Sequence, residues 1–194
     1  PVGQRSITGP AIAVRADDVQ AQGAIDTVVS ITGTAGGNFE ALDTTSIATT
    51  TVTDDTDPTT LILSASAASV TEGGSIVYTA TLSNAVAGTP VVLTLSNSLT
   101  ITIPVGQTTG SSTPIAVRAD DVYAQANDSI TTTVASHSGG SFESFNSTGS
   151  ATTTVVDDAD TTTLSLTGAA SVAEGATATY TVSLTSLASG PVTV

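Results

Sequence analysis

One seven-residue segment occurs twice in this chain, and the distance between its two copies constrains the fold. Ile12–Asp18 recurs in identical form as Ile115–Asp121, an offset of 103 residues. Thr154–Leu164 matches Thr51–Leu61 at the same offset. A period near 100 residues suits one β-sandwich domain per repeat.

The phase of this period divides the chain into three parts. We expect residues 1–57 to be the C-terminal half of a repeat and residues 58–160 to be a complete repeat. Residues 161–194 are then the N-terminal part of the next repeat. The chain is predicted to be a window on a longer array, with adjacent repeats of the same chain as its partners.

Period-two alternation of apolar with Thr and Ser residues predicts seven strands, A to G, in the complete repeat. The alternating positions are Leu61, Leu63, Ala65 in A; Ile76, Tyr78, Ala80, Leu82 in B; Val91, Leu93, Leu95 in C; Leu99, Ile101, Ile103 in D; Ile115, Val117 in E; Ile130, Thr132, Val134 in F; and Ala151, Thr153, Val155 in G. This pattern predicts an all-β fold of tandem antiparallel β-sandwich repeats of immunoglobulin type, each about 103 residues long.

Charge and composition exclude several classes of function. Three Lys and Arg residues against 17 Asp and Glu give a net charge of −14, which excludes nucleic acid as a partner and argues against anionic membranes. The chain has no Cys, so disulfides cannot stabilise it outside the cell. No apolar run is long enough to insert in a membrane.

The acidic residues are predicted to gather at one end of each sandwich. If strand A runs upward, the A–B turn, the E–F turn and the end of strand G all lie at the upper end. These three segments carry most of the acids. The candidate metal ligands are Glu72, Asp120, Asp121, Asp157, Asp158 and Asp160, with Asp17, Asp18, Asp54, Asp55, Asp57 and Glu174 at the matching positions of the partial repeats.

Such a concentration of carboxylates requires a counter-ion. At about 5 Å separation each like-charge pair costs about 3 kcal/mol at an effective dielectric near 20. Calcium takes six to eight oxygen ligands, so the acids of one end could hold about two or three Ca²⁺ ions, whereas Mg²⁺ keeps its waters. The alternative is that each acidic segment is an ordinary solvated turn.

The residues at these positions resemble a known family. Val70–Gly73, Ile103–Gly106, Ala119–Tyr123 and Val155–Asp158 resemble the Calx-beta domain and, more closely, the immunoglobulin-like extender repeats of giant RTX-type bacterial biofilm and ice-binding adhesins. The resemblance implies that the Glu, the Asp pair and the terminal Asp cluster bind calcium.

Catalysis is not expected. His137, the only His, falls in the F–G turn at the opposite end from the acids, so it is interpreted as a solvated loop residue rather than part of a catalytic triad. Tyr78 and Tyr180 are predicted to lie in the core as strand B residues.

The leading hypothesis is a calcium-stiffened structural extender module of a long, repetitive, extracellular adhesin on a bacterial cell surface. The alternative is a segment or subunit of an extracellular filament, in which neighbouring chains complete the half-repeats. Both are binding or structural roles, and neither is enzymatic.

Overall fold

The structure is a computed structural model that describes residues 3–194, and all regular elements in this range are β-strands. The strands are β1 (Ile25–Ser30), β2 (Ile47–Val52), β3 (Pro58–Ala65), β4 (Ser69–Thr71), β5 (Ser75–Ile76), β6 (Tyr78–Leu82), β7 (Val91–Leu95), β8 (Thr100–Ile103), β9 (Thr109–Ser111), β10 (Ile115–Ala116), β11 (Asp128–Ser138), β12 (Ser144–Asn146), β13 (Ser150–Val156), β14 (Leu164–Gly168) and β15 (Tyr180–Leu184). No helix among these residues is long and apolar enough to cross a membrane.

Strands β3 to β13 form the central sandwich, which has two facing sheets and a separate two-stranded ladder of β5 and β10. One sheet has the order β4-β13-β11-β7-β8 and the other the order β12-β3-β6-β9. The predicted all-β, immunoglobulin-like sandwich is confirmed. Strands that correspond to C, F and G share one sheet, and strands that correspond to A and B share the other with β9, as in an immunoglobulin domain. Strand D, which is β8, departs from that division, because it pairs with strand C rather than joining the sheet of A and B.

The core lies between these sheets and is built from alternate residues of each strand. In β3, Thr59, Leu61 and Leu63 are buried while their neighbours are exposed. In the other sheet, Leu93 of β7 and Ile101 of β8 are fully buried. Aliphatic side chains on the inner faces therefore exclude water, and the Thr-rich outer faces remain wet.

Two short strands pair in parallel, which the sequence pattern did not predict. β4 pairs with β13, and β12 pairs with β3. The first pairing arises because the chain crosses from one sheet to the other between β3 and β4. As a result, the segment that follows β4 lies beside the end of β13, and the amide of Glu72 donates to the carbonyl of Val156 at 3.0 Å.

Strand E is divided into two pieces rather than continuous. β9 pairs with β6, and β10 pairs with β5. Between them Ser112 is buried, and its hydroxyl accepts a hydrogen bond from the Tyr78 amide at 3.0 Å. Pro114 follows, and because proline has no amide hydrogen it cannot continue a ladder.

The two flanking segments form one hairpin each, β1–β2 and β14–β15. Their apolar side chains are exposed because a single hairpin has no second sheet to cover it. Tyr180 is 66% exposed, whereas Tyr78 is 1% exposed, so the prediction that Tyr180 lies in the core is wrong for this structure. The division of the chain at residues 57 and 160 stays a prediction.

His137 lies in β11 rather than in a turn. It pairs with Leu93 of β7, and its ring meets the ring of Phe145 edge to face at a centroid distance of 4.8 Å. Its interpretation as a loop residue is wrong, because β11 extends beyond the apolar positions that marked strand F.

Replacement of Tyr78 by Phe should destabilise the central sandwich. The hydroxyl of Thr132 donates to the Tyr78 hydroxyl at 2.8 Å, and both groups are buried. Tyr78→Phe leaves the Thr132 hydroxyl without an acceptor, which should cost about 1–3 kcal/mol of unfolding free energy. Tyr180→Phe is the matched control, since that ring is exposed. Urea denaturation checks this, and equal midpoints for the two variants would contradict it.

Candidate metal centre

Three loops bring carboxylates together at one end of the central sandwich, which we call the acidic pole. Glu72 follows β4, Asp120 follows β10 and Asp158 follows β13. One carboxylate oxygen from each of the three lies within 4.8 Å of the others. The predicted convergence of these three segments is therefore present in the structure.

Backbone contacts determine where these side chains sit. The loop after β4 is held on one side by the Glu72 amide, which donates to Val156, and on the other by the Gly73 amide, which donates to the Arg118 carbonyl at 2.7 Å. Gly73 has a φ of +73°, and a Cβ there would lie 2.9 Å from the Cβ of Asp120. Glycine at this position lets the loops approach each other.

Glu72 is the buried member of the acidic pole. The residue is 5% exposed. Its Oε2 accepts a hydrogen bond from Arg118 Nε at 2.8 Å, while its Oε1 is buried and has no hydrogen-bond partner. A buried carboxylate oxygen without a partner is unfavourable unless a proton or cation reaches it. Burial raises the pKa of Glu72; Arg118 opposes the rise and Asp157 adds to it.

Arg118 is the functional residue that the sequence analysis overlooked. It binds Glu72, lies 3.6 Å from Asp157 Oδ1, and donates from Nη1 to the carbonyl of Ala126 at 3.1 Å. Part of the negative charge at the acidic pole is therefore balanced by the protein itself. The signal was the repetition of Arg15 as Arg118, two residues before each Asp pair, in a chain with only three Lys and Arg residues.

Asp121 and Asp157 lie at the acidic pole but mainly shape its loop. Asp121 accepts hydrogen bonds from the Tyr123 amide at 2.8 Å and from the Gln125 side chain. Asp157 Oδ2 accepts from the Gln125 amide at 2.9 Å. Neither belongs to the three-carboxylate group.

Asp160 lies close enough to the acidic pole to be affected by it. Burial raises the pKa of Asp160, and the carboxylates of Asp158, Asp120, Asp121 and Asp157 raise it further. All six candidate residues of the complete repeat are thus in one electrostatic environment, although only three of them form the close group.

A second close group occurs where the N-terminal segment meets the central sandwich. Asp17, Asp55 and Asp57 each place one carboxylate oxygen within 4.8 Å of the other two. The pKa of Asp17 is raised, first by the charge of Asp55 and then by that of Asp57.

The loop of the N-terminal segment repeats the hydrogen bonds of the central loop at positions 103 residues earlier. Arg15 Nη1 donates to the Gly23 carbonyl, as Arg118 Nη1 does to Ala126. The amide of Gln22 donates to Asp54, and the amide of Gln20 donates to Asp18. Arg15 itself bonds Asp54 at 2.8 Å. Asp18 and Asp54 thus have loop-shaping contacts like those of Asp121 and Asp157.

Glu174 is the candidate that lies in the C-terminal segment. It precedes Gly175 just as Glu72 precedes Gly73, but it is exposed in a turn of the C-terminal segment. Among residues 3–194, it belongs to neither close group of acids.

The donor atoms at both groups are carboxylate oxygens. Such donors favour hard cations, and a site built from separate loops suits the irregular coordination of Ca²⁺ better than the strict octahedron of Mg²⁺. Glu72, Asp120 and Asp158 would hold the ion at the acidic pole, and Asp17, Asp55 and Asp57 at the other group.

The metal-free protein should become more stable as pH falls from neutral toward the ordinary pKa values of the carboxyl groups. Glu72 and Asp160 have pKa values raised above their ordinary 4.5 and 3.8. The folded state therefore binds protons that the unfolded state has released, and stability falls as pH rises through this interval. Asp43 acts oppositely, because its Thr45 hydrogen bonds lower its pKa, but only at more acidic pH. Thermal melts in chelator at several pH values test this, and a Tm that is highest at neutral pH would contradict it.

Loss of the Arg118 side chain should destabilise the metal-free protein. Arg118→Met leaves the buried Glu72 carboxylate without its cation, which is costly. Arg15→Met should cost less, since its partner Asp54 is only half-buried. Adding Glu72→Gln to Arg118→Met should recover part of the lost Tm. Melts in chelator check this, and equal losses for the two Arg variants would count against a role for the buried charge.

The model of the LapA domain family matches residues 57–159. The chain matches no curated protein. The assignment to RTX-type immunoglobulin-like extender repeats or Calx-beta domains is therefore wrong. The error has a physical origin, because acidic loops at one end of a β-sandwich follow from strand parity and ligand chemistry and do not identify one family.

The match spans more than half of the 194 residues. The all-β sandwich and the matched residues agree in extent, since β3 to β13 fall within 57–159. The chain belongs to the LapA domain family, which is related to biofilm adhesins of the cell surface.

Proposed function

We propose that this chain is a structural extender segment of a long, repetitive, extracellular bacterial adhesin, and that calcium at its acidic poles stiffens it. The observation that carries the proposal is the buried Glu72 carboxylate: its Oε1 has no hydrogen-bond partner, and one of its oxygens lies within 4.8 Å of an Asp120 and an Asp158 carboxylate oxygen. Membership in a family related to biofilm adhesins supports the cellular role.

Calcium would act by joining segments that are far apart in sequence. Glu72 belongs to the loop after β4, Asp120 to the loop after β10, and Asp158 to the start of the segment that leads out of the sandwich. An ion bound by all three restrains the exit direction of the chain as well as the loops. This is why the same site would affect both stability and straightness.

The positive charge of Arg118 does not remove the need for a bound cation. The acidic pole has one guanidinium for six carboxylates, so repulsion among Asp120, Asp158 and their neighbours remains. A bound divalent cation would neutralise more of this negative charge than the single positive charge of Arg118 does. The proposed role is mechanical and non-catalytic.

The outer surfaces of the sheets support an extender role. The exposed positions of β3, β8 and β13 are mainly Thr and Ser, such as Thr60, Thr102 and Thr152. Small hydroxyl side chains keep a long protein soluble and offer no apolar patch for capture of a ligand. In this proposal recognition of a surface belongs to other parts of the protein.

Calcium should raise the Tm of the chain, and chelator should lower it. Calcium at one hundred times its dissociation constant adds about 2.7 kcal/mol per site to the folded state. Asp120→Asn with Asp158→Asn should abolish the part of this response that comes from the acidic pole and leave the part that comes from the group of Asp17, Asp55 and Asp57. The same double variant should leave the Tm in chelator unchanged or higher, because it removes like-charge repulsion.

The matched control for this test is Glu40→Gln. It also removes negative charge, but at an exposed position outside both close groups, so it should keep the full calcium response. An unmodified chain that melts identically in calcium and in chelator would overturn the proposed calcium role. A response to Mg²⁺ equal to that to Ca²⁺ would overturn the choice of ion.

A further inference from the structure

The central sandwich contacts the N-terminal segment through one loop, residues 139–143, which we call the Gly-Gly loop. The amide of Ala21 donates to the carbonyl of Ser141 at 2.7 Å, and the amide of Glu143 donates to the carbonyl of Val19 at 3.2 Å. These bonds form a short antiparallel β-bridge between two loops. Main-chain pairing of this kind binds segments without requiring a large apolar surface.

The shape of the Gly-Gly loop is set by its own sandwich. Gly139 has a φ of +80°, and a Cβ there would lie 2.0 Å from the Pro90 carbonyl oxygen; Gly140 has a φ of +75°. Phe142 packs against the core, with its ring 5.3 Å from that of Phe145. The loop is therefore preorganised, with its backbone available to a partner, so that little entropy is lost on docking.

The side chain of Glu143 adds a second contact at the same junction. Its Oε2 accepts a hydrogen bond from the amide of Asp57 at 2.5 Å, in the linker between β2 and β3. That amide lowers the pKa of Glu143, but burial and the charges of Asp54, Asp57 and Asp55 outweigh it and raise the pKa. A carboxylate placed among like charges needs such a contact to stay there.

Both halves of this junction occur a second time in the chain. The motif Gly-Gly-x-Phe-Glu of residues 139–143 is also present at residues 36–40. There Phe39 is 69% exposed, because residues 3–57 form one hairpin without a second sheet to cover it. The loop that receives the Gly-Gly loop, Val19–Ala21, has its counterpart in Val122–Ala124, where Val122 and Tyr123 are partly exposed.

We infer that the Gly-Gly loop is a docking element that joins successive sandwiches. Its backbone pairs with the loop that follows the Asp pair of the preceding sandwich, which is Val19–Ala21 here, and its Glu accepts a hydrogen bond from the linker amide. The equivalent loop of the central sandwich, Val122–Ala124, is the receiving site for the Gly-Gly loop of the next sandwich. The inference rests on the proposed function in supposing successive sandwiches, but the docking needs no calcium.

The test uses the full chain in chelator. Because the chain has no Cys, Thr49→Cys in β2 and Thr102→Cys in β8 introduce two exposed spin-label sites on either side of the junction. Glu143→Ala should broaden the distance distribution and raise the hydrogen-exchange rate of the Ala21 amide about tenfold or more. Glu40→Ala, the same change at the same motif position, should leave both unchanged.

Two further variants keep the test decisive. Glu143→Gln should behave as the unmodified chain, since its side-chain carbonyl can still accept from Asp57. Ala21→Pro removes the donor from the receiving side without altering the sandwich, so it should broaden the distribution even if Glu143→Ala weakens the fold; Ala124→Pro is its control.

Three results would overturn the inference. They are a narrow distribution for both Glu143→Ala and Ala21→Pro, equal broadening by Glu40→Ala, or loss of docking in Glu143→Gln, which would mean that the charge rather than the acceptor matters. The calcium response of the Tm is measured separately at the acidic pole. Its absence would overturn the proposed calcium role and leave the docking inference standing.

Discussion

The ion pair between the buried Glu72 carboxylate and Arg118 joins the loops on which the acidic end of the sandwich depends. It links the segment after β4 to the segment after β10, while the Glu72 amide bonds the end of β13. A buried ion pair restrains the positions of the loops, because separating its two groups would leave a charge without its partner in a low-dielectric environment. The neighbouring aspartates are thereby held close together despite their mutual repulsion.

This arrangement separates the acids into two kinds. Asp121 and Asp157 receive amide and side-chain hydrogen bonds that define the loop, whereas Asp120 and Asp158 remain free to meet a ligand beside Glu72. The same division recurs in the N-terminal segment, where Asp18 and Asp54 shape the loop. In the proposed site, the loop-shaping contacts and the metal ligands would thus come from different members of each Asp pair, so one could be altered without the other.

The sequence could not distinguish these roles because both need the same residue type at adjacent positions. Adjacent carboxylates point in different directions on an extended backbone, so each meets a different neighbour. Arg118 was overlooked for a similar reason: its partner Glu72 lies 46 residues away, and nothing local indicates that pairing. The RTX and Calx-beta resemblance failed because it relied mainly on acidic loops, and residues 57–159, which match the LapA domain model, contain those same loops.

The sequence by itself determined the all-β class, the alternating core positions from Leu61 to Val155 and the convergence of three acidic loops. Alternation can be read within each strand, and the end of the sandwich at which each loop lies follows from counting the strands. Only the tertiary structure decided the crossing of β4 to the other sheet and the burial of Glu72 against Arg118. Each of these depends on which distant segments meet, and that is settled by how two sheets pack rather than by the pattern within either one.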